Sequence, residues 1–205
     1  MQSAGDDLIS LQAQDAGDAQ LLAAALRHDN RFIDVVAGVE TVVVRYDIAT
    51  LSRAQAESRV LELIEHRADP STVRQRTLEV PINYGGEDGP DLKDVCEHLG
   101  ITEAEFIALH TGRYTVEMLG FIPGFAYIGG LDARLAVGRL PEPRQSLPAG
   151  SVGIAGKRTG LYALRGPGGW PVIGRTRLQL FDADDENPFL LSPGDCVVFV
   201  EASDT

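Results

Sequence analysis

The alternation of apolar and polar positions divides the chain into two textures. In the first, Leu8 to Leu11 is a short apolar run, Ala19 to Leu26 is a compact stretch of strong helix formers, and Ile33 to Val36 is β-branched and closed by Ala37-Gly38. This predicts strand, helix, strand and turn. Val42, Val44 and Tyr46 alternate with Val43 and Arg45 as a half-buried strand does. Ser52 with Gln55 three residues on then predicts a capped helix carrying Leu61, Ile64 and Ala68 on one face and ended by Asp69-Pro70. From Thr77 to Ile82, Leu78, Val80 and Ile82 alternate with Thr77, Glu79 and Pro81, and the proline implies an edge position or a bulge. The order β-α-β-β-α-β predicts a ferredoxin-like split βαβ layer over residues 1–84. No catalytic motif lies within it.

Tyr84 to Pro90 is dense in turn formers and marks the expected boundary, with a second domain over residues 85–205. Asp91 to Leu99 reads as a helix stopped by Gly100, and Thr102 with Glu105 opens another that runs to about His110 and ends near Gly112. From Tyr114 onward the second texture begins: short apolar runs (YTVEMLGF, SVGIAG, GLYAL, WPVIG, LQLF, PFLL, CVVFV) separated by glycine and proline. Repeated short strands with turn signals between them predict a closed or nearly closed β-barrel. The fold class is therefore α+β.

Composition narrows the partners. Eighteen basic against thirty acidic residues give a net charge of −12, which opposes binding to nucleic acid or to an anionic membrane. The acidic start lacks a secretory signal and no run is long enough to span a bilayer, so a cytoplasmic location is expected. Cys96 and Cys196 are far apart and have no histidine at metal-ligand spacing, so buried thiols are expected and no metal site.

Chemistry-bearing residues concentrate in five clusters: Gly85 to Asp91, His110 to Tyr114, Gly120 to Gly130, Pro148 to Gly160 and Gly166 to Thr176. Several glycine-rich turns in one small barrel can cradle an anion or a carbonyl with backbone N–H groups; equally, barrels need glycine at corners and bulges. No phosphate loop and no G-x-G-x-x-G motif is present. Ser151 stands in A-G-S-V-G, one residue short of a nucleophile elbow, and reads as a turn serine or a nucleophile. His110 suits proton transfer near neutral pH or, at a helix end, complements the dipole. Arg175 after Gly174 can clamp a carboxylate or phosphate, or lie at the surface; Trp170 is a core anchor or a cavity wall.

The blocks YGGEDGPDL, LHTGRYTVEMLGFIPGFAYIGGLDARL, LPAGSVGIAGKRTGLYAL and GPGGWPVIGRT, followed by LFD and LLSPGDCVVFV, resemble the KipI/PxpB family, also known as the B subunit of 5-oxoprolinase and as allophanate hydrolase subunit 1. The resemblance implies that the second domain is a cyclophilin-like β-barrel. It also implies a homologous barrel partner (KipA, PxpC or allophanate hydrolase subunit 2) and a third, PxpA-like subunit. The resemblance implies that together these open pyroglutamate to glutamate at the expense of ATP, with Mg as the expected companion ion. Alternatives within the resemblance are a KipI-type inhibitor of a sensor histidine kinase and a subunit of an allophanate hydrolase or urea carboxylase.

The family's histidine matches His110, its G-F-x-P-G-F matches Gly120, Phe121, Pro123, Gly124 and Phe125, and its P-A-G-S-V matches Pro148 to Val152. Thr159, Gly160 and Tyr162 match T-G-x-Y, while Pro167 to Trp170 and Gly174 to Thr176 match P-G-G-W and G-R-T. Two departures stand out: Ala126 and Ile128 replace the usual proline and leucine, and Arg158 replaces the usual glutamine and adds a cation. For such chemistry Arg175, with Arg158, is expected to supply the cation, and the turns at Gly153 to Gly156 and at Gly168 and Gly169 to supply backbone donors. His110 is expected to shuttle protons, with Glu87 as a weaker base or magnesium ligand. Phe121, Phe125 and Tyr127 line a pocket or an interface, and the binding set is completed by Pro123, Gly124, Ser151, Thr159, Tyr162, Trp170 and Thr176.

Overall fold

The computed structural model describes residues 2, 3, 5–66 and 76–203. The chain divides into two compact units, Met1–Arg74 and Gln75–Thr205.

The first unit contains strands β1 (Gln2–Ser3), β2 (Leu8–Gln12), β3 (Phe32–Ala37) and β4 (Thr41–Tyr46), with helix α1 (Ala16–Arg27) between β2 and β3 and helix α2 (Arg53–Glu65) after β4. The sheet order is β1-β2-β4-β3, every neighbour antiparallel. Because β4 lies between β2 and β3 and opposes both, β2 and β3 run parallel with α1 as their crossover, which is the split βαβ that the pattern predicts. Asp15 caps α1 by accepting from the Asp18 N–H at 2.8 Å, and α2 carries the expected Ser52–Gln55 capping box.

The buried face of α2 differs from the predicted one. Ala56 and Val60 are buried and Leu63 and Ile64 pack beside them, whereas Leu61 is 47% exposed. A small alanine contributes little to an apolar pattern yet lets a helix approach its sheet closely, so the stripe is rotated by about one position. Ala68, Asp69 and Pro70 lie outside the described residues.

In the second unit, strands β5 (Thr77–Tyr84), β6 (Gly112–Leu119), β7 (Ala126–Gly129), β9 (Ser151–Ala155), β10 (Arg158–Leu161), β12 (Val172–Arg175) and β13 (Cys196–Glu201) close into a seven-stranded barrel. Helices α3 (Leu92–Leu99) and α4 (Glu103–His110) lie between β5 and β6, and β8 (Arg144–Leu147) pairs with β11 (Gly166–Gly168) as a separate ribbon. Gly100 closes α3 in the left-handed conformation at φ 70°, and Thr102 and Glu105 form the capping box of α4. The architecture agrees with the α+β class and with the cyclophilin-like barrel implied by the resemblance. Both cysteines are free and buried.

Two expectations are corrected. The strand from Thr77 does not complete the first layer; it is a barrel strand, parallel to β13 from Thr77–Cys196 to Ile82–Glu201, so the units divide after Arg74 and not after Tyr84. The place next to β2 is taken by Gln2–Ser3. The proline reading still holds locally. The Ala202 N–H donates to the Ile82 carbonyl, so Pro81 faces away from β13, toward β12, whose pairing with β5 covers only Asn83 and Tyr84. The runs LQLF and PFLL are not barrel strands: Phe181 and Phe189 form one isolated bridge with ring centroids 5.2 Å apart, flanking a polar turn. Conversely, β8 and β11 read RQSL and GPG, and without apolar alternation they leave no pattern to detect.

Candidate functional site

Strand β5 ends with two residues that face opposite ways. Tyr84 reaches the apolar core and Asn83 reaches a small pocket. The strand lies close to β12 there because Gly174 has no side chain: a Cβ would stand 2.6 Å from Ile82 Cγ2 and 2.7 Å from the Asn83 carbonyl. This register puts Arg175 opposite Asn83.

The loop after β5 is pinned onto β12 by Gly85 N–H donating to the Ile173 carbonyl at 3.1 Å and Asp91 N–H to the Val172 carbonyl at 3.0 Å. Asp88 is thereby held over two arginines. Arg177 Nη2 donates to Asp88 Oδ2 at 2.7 Å, as does Asn83 Nδ2 at 3.2 Å. Arg175 donates from Nε to the Ala149 carbonyl at 2.8 Å, while its Nη1 stays 3.8 Å from Asp88 Oδ1, beyond hydrogen-bond distance. Among the described residues its terminal nitrogens have no acceptor, although the side chain is only 29% exposed. Asn83, Arg175 and Arg177, with the apolar Pro81 and Leu178, line a pocket of about 150 Å³. Thr176 also lines it, with its hydroxyl accepting from the Leu178 N–H at 3.3 Å. Glu87 is exposed and, among the described residues, makes no side-chain bond.

His110 is elsewhere. It is fully buried at the end of α4, with its ring stacked between Phe106 and Phe199. Nδ1 meets the Tyr84 hydroxyl at 2.7 Å and Nε2 meets Thr159 Oγ1 at 3.0 Å. Loss of hydration lowers its pKa to about 3, so the imidazole is neutral, and burial pushes the Tyr84 phenol up. The structure thus makes His110 a satisfied core residue that ties Tyr84 to Thr159, a position without solvent access for a proton shuttle and without the charge a helix-dipole role requires.

The glycine after the P-A-G-S-V block, Gly153, and that of T-G-x-Y, Gly160, serve packing. Gly153 and Gly160 are paired across β9 and β10. A Cβ on Gly160 would meet Phe125 Cζ at 2.6 Å and Trp170 Cζ3 at 2.9 Å, so the bare backbone makes room for buried rings of Phe125, Tyr162 and Trp170. Trp170 is accordingly a core anchor. The expected backbone donors are largely used within the fold: Ile154 N–H donates to the Pro171 carbonyl at 3.0 Å and Gly156 N–H to that of Val137 at 2.8 Å. Gly168 packs against Leu147 and Tyr162, and Gly169 against Pro143. Ser151 is buried, its hydroxyl donating to the Pro148 carbonyl at 2.8 Å, which is the turn-serine role.

Arg158 is not a free cation. Its Nε donates to Glu117 Oε2 at 2.6 Å, across the Cα of Gly129, where a β-bulge in β6 sets Glu117. In the Gly120 to Phe125 loop, Gly124 adopts φ 74° against Ala163, Pro123 is exposed, and Phe121 is 62% exposed with its ring edge-on to Phe125 at 5.8 Å. Phe121 has φ 69°, and the Ile122 N–H donates back to the Gly120 carbonyl at 2.8 Å, a strained γ-turn.

The structure therefore brings Arg175 and Thr176 together with Asn83, Asp88 and Arg177, which the sequence reading did not assign to a site. Asp88 stands in the GGEDGPD block beside Glu87, but its pairing depends on the β5–β12 register. Among the described residues no helix is long and apolar enough to cross a membrane.

A family model described as "Carboxyltransferase domain, subdomain C and D" matches residues 2–191. The chain is 46% identical over 153 residues to the 5-oxoprolinase B subunit of Bacillus subtilis, with 74% of this chain and 62% of that protein covered. It is 42% identical over 177 residues to the 5-oxoprolinase B subunit of Escherichia coli O157:H7, with coverages of 83% and 81%. The structure of TTHA0988 superposes with a TM-score of 0.82 at 34% identity, covering 97% of this chain and 40% of that one. Urea amidolyase of K. lactis superposes with a TM-score of 0.76 at 19% identity, covering 98% of this chain and 15% of that one, and shows a shared fold. The chain thus spans 62% of the Bacillus relative and 40% of TTHA0988.

Proposed function

Because the chain belongs to the carboxyltransferase subdomain C and D family, among the KipI/PxpB proteins known as the B subunit of 5-oxoprolinase, we propose that it serves as this component of an ATP-dependent 5-oxoprolinase. In this reading it acts with a homologous barrel subunit and a PxpA-like subunit to open pyroglutamate to glutamate. Among the geometric features, the open guanidinium fork of Arg175 carries the proposal. A partly buried cation, oriented through Nε by the Ala149 carbonyl and, among the described residues, with no acceptor within hydrogen-bond distance of its terminal nitrogens, is suited to bidentate capture of a carboxylate or phosphate.

ATP fits this pocket poorly, since sites for drug-sized ligands occupy about 300–1,000 Å³ and this one has a volume of about 150 Å³. The phosphate-loop motifs are absent as well. The reading therefore assigns nucleotide and Mg to another subunit and routes no step through them here. This chain's residues hold the small acid: Arg175 engages the anion, Arg177 and Asn83 border it, and Asp88 fixes their positions. His110 contributes by locking Tyr84 and Thr159, and exposed Glu87 is left as the free base at the loop tip.

The test is reconstitution. The chain combined with its homologous barrel subunit and PxpA-like subunit, ATP and pyroglutamate is expected to release glutamate. ATP consumption with urea or allophanate, and none with pyroglutamate, would replace this reading with a urea-pathway one.

A further inference from the structure

The Arg175 pocket also shows which anion it suits and what guards it. Asp88 faces two guanidinium groups, so the cluster of Asp88, Arg175 and Arg177 retains one positive charge in a chain whose net charge is −12. Asp88 satisfies the two arginines unequally. Its Oδ2 accepts from Arg177 at 2.7 Å and Asn83 at 3.2 Å, while Oδ1 stands 3.8 Å from Arg175 Nη1. The carboxylate is thus engaged with one arginine and withheld from the other.

The pocket bordered by Asn83, Pro81, Arg175, Arg177 and Leu178 has a volume of about 150 Å³ and opens to solvent. That volume suits a small organic acid. A single residual positive charge likewise matches a monoanionic carboxylate and not a polyphosphate, whose several negative charges would remain uncompensated.

We propose that this pocket is a subsite for the carboxylate of a small monoanionic acid, with Asp88 as its built-in competitor. An incoming carboxylate docks on the open Arg175 fork and draws Arg177 from Asp88. Asp88 holds Arg177 in place when no acid is bound, and the charge it keeps 3.8 Å from Arg175 sets a threshold that excludes weak anions. The inference rests on the 5-oxoprolinase reading for the identity of the acid, while the site itself rests on the geometry.

Titration of the full chain with pyroglutamate, with its uncharged amide and with ADP, followed by NMR at the Arg175 Nε–H, tests this. Saturable binding of pyroglutamate that shifts this signal is expected, with no response to the amide. Arg175→Met should weaken binding at least about tenfold, as loss of a charge-assisted pair does. Arg177→Gln, at a 64% exposed side chain, should weaken it about threefold without changing the urea midpoint. Asp88→Asn should tighten it about three- to tenfold by removing the competing charge. Weaker binding by Asp88→Asn would overturn the competitor role. Absence of saturable pyroglutamate binding, or its displacement by ADP, would overturn the subsite. Binding as expected by a chain whose assembled complex releases no glutamate would leave the subsite standing and remove the 5-oxoprolinase reading.

Discussion

Acidification should destabilise the barrel through one buried residue, His110. Its ordinary pKa of 6.5 falls to about 3 in the folded chain because the ring is sealed among Phe106, Phe199 and Tyr114. The folded state therefore favours the neutral ring, while the unfolded state takes up a proton as pH drops below 6.5. The contribution is fully present above pH 6.5 and is lost progressively from there toward pH 3. Its slope is about 1.4 kcal/mol per pH unit, which amounts to about 1.4 kcal/mol by pH 5.5 and about 2.7 kcal/mol by pH 4.5. Urea unfolding followed by the fluorescence of Trp170, the chain's sole tryptophan, reports on the barrel unit. Comparing wild type with His110→Gln between pH 7.5 and 5.5 cancels the exposed His28, His66 and His98 and stays above most carboxylate titration. The variant is expected to be less stable at pH 7.5 and to lose most of the pH slope. Parallel pH profiles for the two proteins would refute the desolvation argument.

Three further outcomes follow from packing. Gly160→Ala should destabilise the barrel by about 1–3 kcal/mol, because its methyl would meet Phe125 at 2.6 Å and Trp170 at 2.9 Å; an unchanged urea midpoint would contradict this. Phe121→Gly should leave stability unchanged or raise it by up to about 1 kcal/mol, since φ 69° suits glycine and the ring is 62% exposed; a clear loss in thermal unfolding would show that the ring carries packing. Asp91→Asn should cost about 2–4 kcal/mol, since that carboxylate accepts from Arg144 at 2.6 and 2.8 Å and from the Val172 N–H at 2.6 Å. Denaturant titration at constant pH reads that loss, and a cost below the noise would refute it.

What was legible in the sequence was local. Gly100 and the Thr102–Glu105 box announce the ends of α3 and α4 because caps act within one helical turn. The split βαβ was legible for a similar reason, as its crossover joins neighbours in sequence. Alternation at Thr77 to Ile82 showed that one face of a strand is buried, but not which strand lies beside it, and its partner β13 is over a hundred residues away. The candidate site divides in the same manner. Arg175 belongs to a recognisable block, whereas its relation to Asp88 and Arg177 exists only through strand register and a pinned loop. Arg158 looked like an added cation because the β-bulge that delivers Glu117 has no sequence signature. Nor does composition around His110 reveal that both ring nitrogens find partners from distant strands.

The parallel β5–β13 pairing has a further consequence for how the protein is made. Strand β13 fills the slot between β5 and β6, so both of those strands leave the ribosome with an open edge toward it. About 80 residues separate the end of β6 from the start of β13, and synthesis at about 5–20 residues per second leaves that slot empty for on the order of 4–16 s. For that interval the nascent chain presents two unpaired strand edges, the condition in which chains join one another instead of themselves. The vulnerability of this barrel is therefore greatest before its last strand is synthesised, and chaperone demand should depend on how quickly the Cys196–Glu201 segment arrives.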